Sequence, residues 1–237
     1  MGPQNPLAAF STEASIGAIT PEDCVAFHQT WLRPAGARMF VVGDLTEAQV
    51  RRAFGDERMA AFTGSAPKLP VAKPVAMPTG TIYFVHVPGA AQSQVSFSHL
   101  GPRRRAKDYE ATSIAAAIMG GSFSSRLNMN LREDKGYAYG ARGGFSYFRG
   151  IGRFTAGASV RADATYQSLL EIQNELTSLA SGNKPITPDE LTRELSSEIY
   201  GFPGRFETGR AALGMYSTLV YYGLPLDTYK SYVQTLR

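Results

Sequence analysis

The chain has 237 residues, 43% hydrophobic and 19% charged, with a net charge of +4. That composition supplies a real apolar core and excludes a disordered or low-complexity chain, while so small a positive excess selects no acidic partner. The lone cysteine, Cys24, rules out a disulfide framework and a cysteine-based metal site within the chain. No apolar run reaches the length that spans a bilayer. The opening MGPQNPLAAF lacks the basic start and long apolar core of a signal peptide.

In chain order, residues 11–33 predict two helical pieces. The second opens with Thr20 as N-cap, Pro21 at its first position, and Glu22 and Asp23 in its first turn. Cys24 falls among its apolar positions and is expected to be buried. Pro34 and Gly36 stop the helix, and residues 38–43 (RMFVVG) read as a short buried strand. Thr46 and Gln49 form a capping box for a helix to about Phe54. Residues 63–79 carry Pro67, Pro70, Pro74 and Pro78 and predict an extended, semi-rigid linker.

Beyond the linker, residues 81–87 (TIYFVHV) are apolar on both faces, as in a buried strand. Residues 94–100 alternate, with Val95 and Phe97 on one face and Ser96 and Ser98 on the other. Arg103, Arg104, Arg105 and Lys107 follow Gly101-Pro102 and precede a helix; a solvated loop explains them better than a nucleic-acid patch. Residues 107–119 predict a small-residue helix, and residues 139–148 and 152–160 a hairpin turning at Arg149-Gly150. Asp163 is placed to cap the next helix, in which Leu169, Ile172, Leu176 and Leu179 form an apolar stripe. Thr187, Pro188 and Glu190 open another helix, and further helix follows near 209–221 and 226–236.

The stretch 120–140, GGSFSSRLNMNLREDKGYAYG, carries the chemistry. Phe123, Leu127 and Leu131 fall at four-residue steps on one helical face. Arg132 and Tyr139 stand seven positions apart across a helix-to-strand corner. A guanidinium is always charged and forks two N–H donors onto an oxygen, and a phenol adds a neutral O–H donor. Two such donors on one carbonyl make an electrophilic clamp, each donor worth about 3 kcal/mol of barrier on an oxyanion. On the residues alone, a solvated helix-end arginine and a core tyrosine is the favoured reading. His28, His86 and His99 form no His-x-x-x-His, HxxEH or HExxH arrangement, although His86 and His99 are expected on neighbouring strands. There is no Gly-x-Ser-x-Gly elbow and no phosphate-binding lysine loop.

These motifs resemble the pitrilysin or insulinase-type zinc metallopeptidases, the inverzincins, a family that includes mitochondrial processing peptidase. The resemblance rests on the 120–140 stretch with its flanking strands and helices, and on ITPEDCVAFHQTWLRPAGARMFVVGDLT at residues 19–46. It implies an α+β fold, a mixed but mostly antiparallel sheet packed with helices. It also implies two homologous halves, one carrying HxxEH and zinc, the other zinc-free with an arginine and a tyrosine that hold the substrate carbonyl. Arg132 and Tyr139 match that pair, with Tyr137 the runner-up tyrosine, and Gly120, Gly121 and Ser122 match a glycine-rich substrate loop.

On this resemblance residues 1–62 correspond to the tail of a preceding half, and residues 80–237 to a zinc-free half cut before its last strand, so the chain reads as a piece of a longer protein. No metal is expected in this chain and zinc in a partner half, on the same polypeptide or a separate subunit. An extended peptide is the implied substrate; nucleic acid and membrane span are not implied, and bacterial periplasm and cytoplasm both remain open. Residues 38–43 are expected to fill the vacant sheet slot, within the chain or by exchange in a domain-swapped homodimer. A non-catalytic assembly subunit of the same fold is the alternative reading.

Overall fold

The computed structural model describes residues 10–55, 62–68 and 80–237, so the linker prolines Pro70, Pro74 and Pro78 lie outside the described residues. The described chain divides into two compact units, one ending at Tyr83 and one running from Phe84 to Arg237.

Among its described residues the first unit holds three helices, each opened by the chemistry its sequence announces. Helix α1 (Glu13–Gly17) is capped by Thr12 with Ser15, α2 (Pro21–Trp31) by Thr20 with Asp23, and α3 (Glu47–Phe54) by Thr46 with Gln49. In all three the cap hydroxyl accepts the N3 amide and the N3 side chain reaches back, satisfying two otherwise orphaned donors. No described residue of this unit is buried. Val25 and Phe27 on α2 stay more than half exposed, and Cys24, expected inside, is exposed and free. Apolar helix positions are buried only where another element packs against them. The same reason corrects the expectation for residues 38–43: the segment joins no ladder among the described residues, and Met39, Val41 and Val42 are exposed.

The second unit is built on an antiparallel sheet. Strand β1 (Gln92–Gly101) pairs with β3 (Gly152–Arg161), and β3 with β2 (Ala138–Ser146), in the order β1-β3-β2. Residues 81–87, expected as a buried strand, lie outside this ladder, with Ile82, Tyr83, Phe84 and Val85 at least 80% exposed. A strand apolar on both faces is buried only where ladder neighbours and two covering layers meet it. His86 therefore does not share a sheet with His99; it stacks on Phe84, whereas His99 lies on β1 against Phe154.

Helices cover one face of the sheet. Helix α4 (Tyr109–Ala116) runs into a wide π turn (Ala117–Gly121), and α5 (Arg126–Asn128) into a second (Met129–Asp134). Then come α6 (Thr165–Ala180), α7 (Pro188–Gly201), α8 (Gly209–Tyr222) and the short α9 (Tyr232–Leu236). The core joins Val95, Phe154, Ala156 and Val160 from the sheet to Met119, Leu127, Leu131 and Ile172 from the helices. Leu169, Leu176 and Leu179 pack against it, so the α6 stripe faces inward as the sequence predicts. Asp163 does not cap α6, whose N-cap is Ala164; it pairs instead with Arg161 two residues back. The opposite sheet face is polar, with Ser98 facing Thr155 and Gln94 bonded to Ser159.

Helix α7 is locked to α5 by an ion pair. Arg126 donates to both carboxylate oxygens of Glu190 at 2.7 Å and to the carbonyls of Lys184 and Pro185, also at 2.7 Å. Glu190 simultaneously closes the α7 capping box on Thr187. Among the described residues no helix is long and apolar enough to cross a membrane.

Candidate functional site

The site forms where the α5 helix ends and β2 begins. The turn Met129–Asp134 presents Arg132, and Gly136, at φ +63°, reverses the chain in a left-handed conformation that a side chain would strain. Tyr137 N–H then donates to the Leu131 carbonyl at 2.8 Å, and the Arg161 N–H to Tyr137 O at 2.9 Å, which anchors the start of β2. Tyr137 itself packs against the core, so it is the framework tyrosine of the two.

Tyr139 is turned the other way by a register shift. Ala138 pairs with Val160 and Ala141 with Ala158, so three steps on β2 match two on β3. This bulge at Tyr139-Gly140 puts Ala138 against the core and leaves Tyr139 87% exposed. In an unbroken strand Tyr139 would share the inward face of Ala141, Gly143 and Phe145; the extra residue re-aims it outward.

Arg132 and Tyr139 are together. The Arg132 Cζ lies 5.0 Å from the Tyr139 ring centroid and 4.6 Å from that of Phe123. Its Nε is 3.1 Å from Glu133 Oε1, in a pair left partly open to solvent. Beyond that ion pair, no side-chain hydrogen bond among the described residues engages the guanidinium or the Tyr139 hydroxyl. The surface thus offers a planar cation held by two rings, with a phenol beside it, and donors free to meet an oxygen.

The three loop residues behave differently. Gly120 is buried, and a Cβ there would lie 2.2 Å from the Gly143 nitrogen and 2.6 Å from its Cα; this is a helix-to-strand contact only glycine allows. Gly120→Ala should therefore cost about 1–3 kcal/mol of stability through overpacking. Urea unfolding measures it, and wild-type stability would contradict the close contact. Ser122 donates its hydroxyl to Glu194 Oε1 at 2.9 Å and so ties the loop to α7, while Gly121 is exposed.

Two residues of the site differ from the sequence reading: Phe123 was expected on a helical apolar face, and Asn128 was given no role. Phe123 shares four-residue spacing with Leu127 and Leu131, but it precedes α5 and is 63% exposed, while both leucines are buried. Asn128 is buried in the helix, where asparagine is a poor helix former. Its presence in a helical run was the available signal that the side chain bonds backbone elsewhere.

Among the described residues no group of three His, Cys, Asp or Glu is placed to hold a metal ion. The described residues do not fit a zinc site.

The family model described as peptidase M16 inactive domain matches residues 18–197, and the chain belongs to that family. Among solved structures it resembles a peptidase M16 inactive domain from Pseudomonas fluorescens, with TM-score 0.80, 24% identity, and coverage of 94% of this chain and 52% of that one. It also resembles a protease from Helicobacter pylori, with TM-score 0.73, 22% identity, and coverage of 95% and 55%. A chain of complex III2 from Candida albicans follows at TM-score 0.70, 14% identity, and coverage of 95% and 54%. At these identities the likeness is one of fold, and the chain spans about half the length of each of these structures. No curated protein sequence matches it.

Proposed function

We propose that this chain is the zinc-free, substrate-binding half of a zinc-dependent endopeptidase, in which Arg132 and Tyr139 hold the scissile carbonyl of an extended peptide. The observation that carries this reading is their juxtaposition, 5.0 Å from guanidinium carbon to ring, on an exposed surface of a peptidase M16 inactive domain. The carbonyl oxygen accepts an N–H from Arg132 and the O–H of Tyr139. Both bonds strengthen as the oxygen becomes an oxyanion, which is the condition for a donor to lower a barrier rather than only to bind.

Zinc, carried by a homologous partner half on the same polypeptide or on a separate subunit, supplies the activated water. On this reading residues 1–62 are the tail of a preceding half, 63–79 the linker, and 80–237 the substrate-binding half. The peptide lies extended, as in strand addition to a sheet edge. Gly120 and Ser122, tied to β2 and α7, shape the loop that carries Phe123, and Gly121 is its exposed backbone position.

The fold likeness to a chain of complex III2 favours a second reading, an assembly subunit that keeps the fold without the chemistry. Peptide binding separates the two. A fluorescent unstructured peptide should bind the chain, and Arg132→Ala should weaken that binding about tenfold, the value of a charge-assisted hydrogen bond. Unchanged binding would favour the assembly subunit.

A further inference from the structure

We infer that Asn128 is a positioning residue that fixes Phe123 and Tyr139 around Arg132. The geometric claim stands on the structure alone; its consequence for catalysis rests on the carbonyl-clamp reading above.

Asn128 is 5% exposed and lies four residues before Arg132 on the same helical stretch. Its carboxamide is used at both ends. The Nδ2 group donates to the Phe123 carbonyl at 2.6 Å, and Oδ1 accepts the Ala141 N–H at 3.2 Å. The partners are a carbonyl and an amide, so the orientation of the side chain is dictated by them.

Each bond falls at a point of need. Ala141 is the first residue past the bulge and is buried, so its N–H needs a protein acceptor rather than water. Phe123 lies in the loop before α5, where helix geometry does not set its backbone. One short side chain thus joins the helix of Arg132, the loop of Phe123 and the bulge that turns Tyr139 outward.

The choice of residue follows from that task. A carboxamide brings a donor and an acceptor on one short planar group, and asparagine has the shorter of the two carboxamide stems. Aspartate keeps the acceptor for Ala141 but sets an oxygen against the Phe123 carbonyl. Alanine removes both bonds.

The test is the Arg132 Nε–H resonance, which aromatic ring currents displace while the rings are held against the guanidinium. It is read by NMR on the 237-residue chain with Asn128→Ala and Asn128→Asp, beside circular dichroism to certify folding. Both variants should move that resonance toward the free-arginine position, Asn128→Ala further; if Asn128→Ala does not fold, Asn128→Asp carries the measurement. In the complete zinc-bearing peptidase, Asn128→Ala should lower kcat on the order of 10²-fold, the cost of misplacing a reacting group, with KM changed less. An unmoved resonance in a folded variant would overturn the inference, whatever the activity does. If the resonance moves but Arg132→Ala leaves cleavage intact, the clamp reading fails and Asn128 keeps its positioning role. If Arg132→Ala abolishes cleavage while the resonance stays put, only the inference about Asn128 fails.

Discussion

Arg132→Ala is expected to slow peptide cleavage by the complete zinc-bearing peptidase by about 10²–10³-fold, the usual cost of removing one oxyanion donor. The loss should appear in kcat more than in KM, because the donor bonds strengthen only as charge develops on the oxygen. Folding should survive. Arg132 is partly exposed and contributes ring contacts and one solvated ion pair, together worth only about 1 kcal/mol. Arg132→Lys should not restore the rate, since an ammonium lacks the planar fork. Tyr139→Phe is the companion variant: it keeps the ring against the guanidinium and deletes only the hydroxyl. Steady-state kinetics with a thermal melt measures all three, and a kcat for Arg132→Ala within about twofold of wild type would remove the clamp from the mechanism.

The second large effect concerns stability. The Arg126 and Glu190 side chains are 11% and 17% exposed, and their fork-to-fork pairing is supplemented by two backbone carbonyls. The hydrogen bonds from Arg126, opposed by burial and aided by the Thr187 cap, hold the Glu190 carboxyl down from 4.5 to about 2. A carboxyl depressed on folding contributes stability that is fully present above its unfolded value and is lost as pH falls through its folded value. Glu190 should therefore contribute on the order of 3 kcal/mol near neutrality, draining away between about pH 4.5 and pH 2. Urea unfolding across that window should show the wild type converging on Glu190→Gln. Arg126→Met, which strands the carboxylate, should lose about 3 kcal/mol or more at pH 7. Parallel pH dependence in wild type and Glu190→Gln would mean the pair is stability-neutral.

Helix starts were legible in the sequence because capping is local. Thr20 with Asp23, Thr46 with Gln49 and Thr187 with Glu190 all close as reciprocal caps. The inward stripe of α6 and the β2-β3 hairpin were legible for the same reason, since their periods declare the buried face. What failed depends on neighbours beyond the segment. The runs at 38–43 and 81–87 have the composition of buried strands, yet composition does not say which ladder receives them. Asp163 suited a cap equally well as a partner for Arg161, and the nearer cation won.

The Arg132–Tyr139 spacing was visible in the sequence, but the bulge that turns Tyr139 outward was not. Only Gly140 beside it hinted that the ladder slips there. Phe123 was read as core and Asn128 was passed over, because their roles rest on contacts across a loop and a strand.

We propose above that this chain is half of a working zinc peptidase. The most direct test is cleavage of an unstructured peptide mixture with zinc, by the chain alone and by the longest natural polypeptide that contains it. The chain alone should cleave nothing, and the longer form should show chelator-sensitive cleavage. Zinc-dependent cleavage by the chain alone would contradict that proposal.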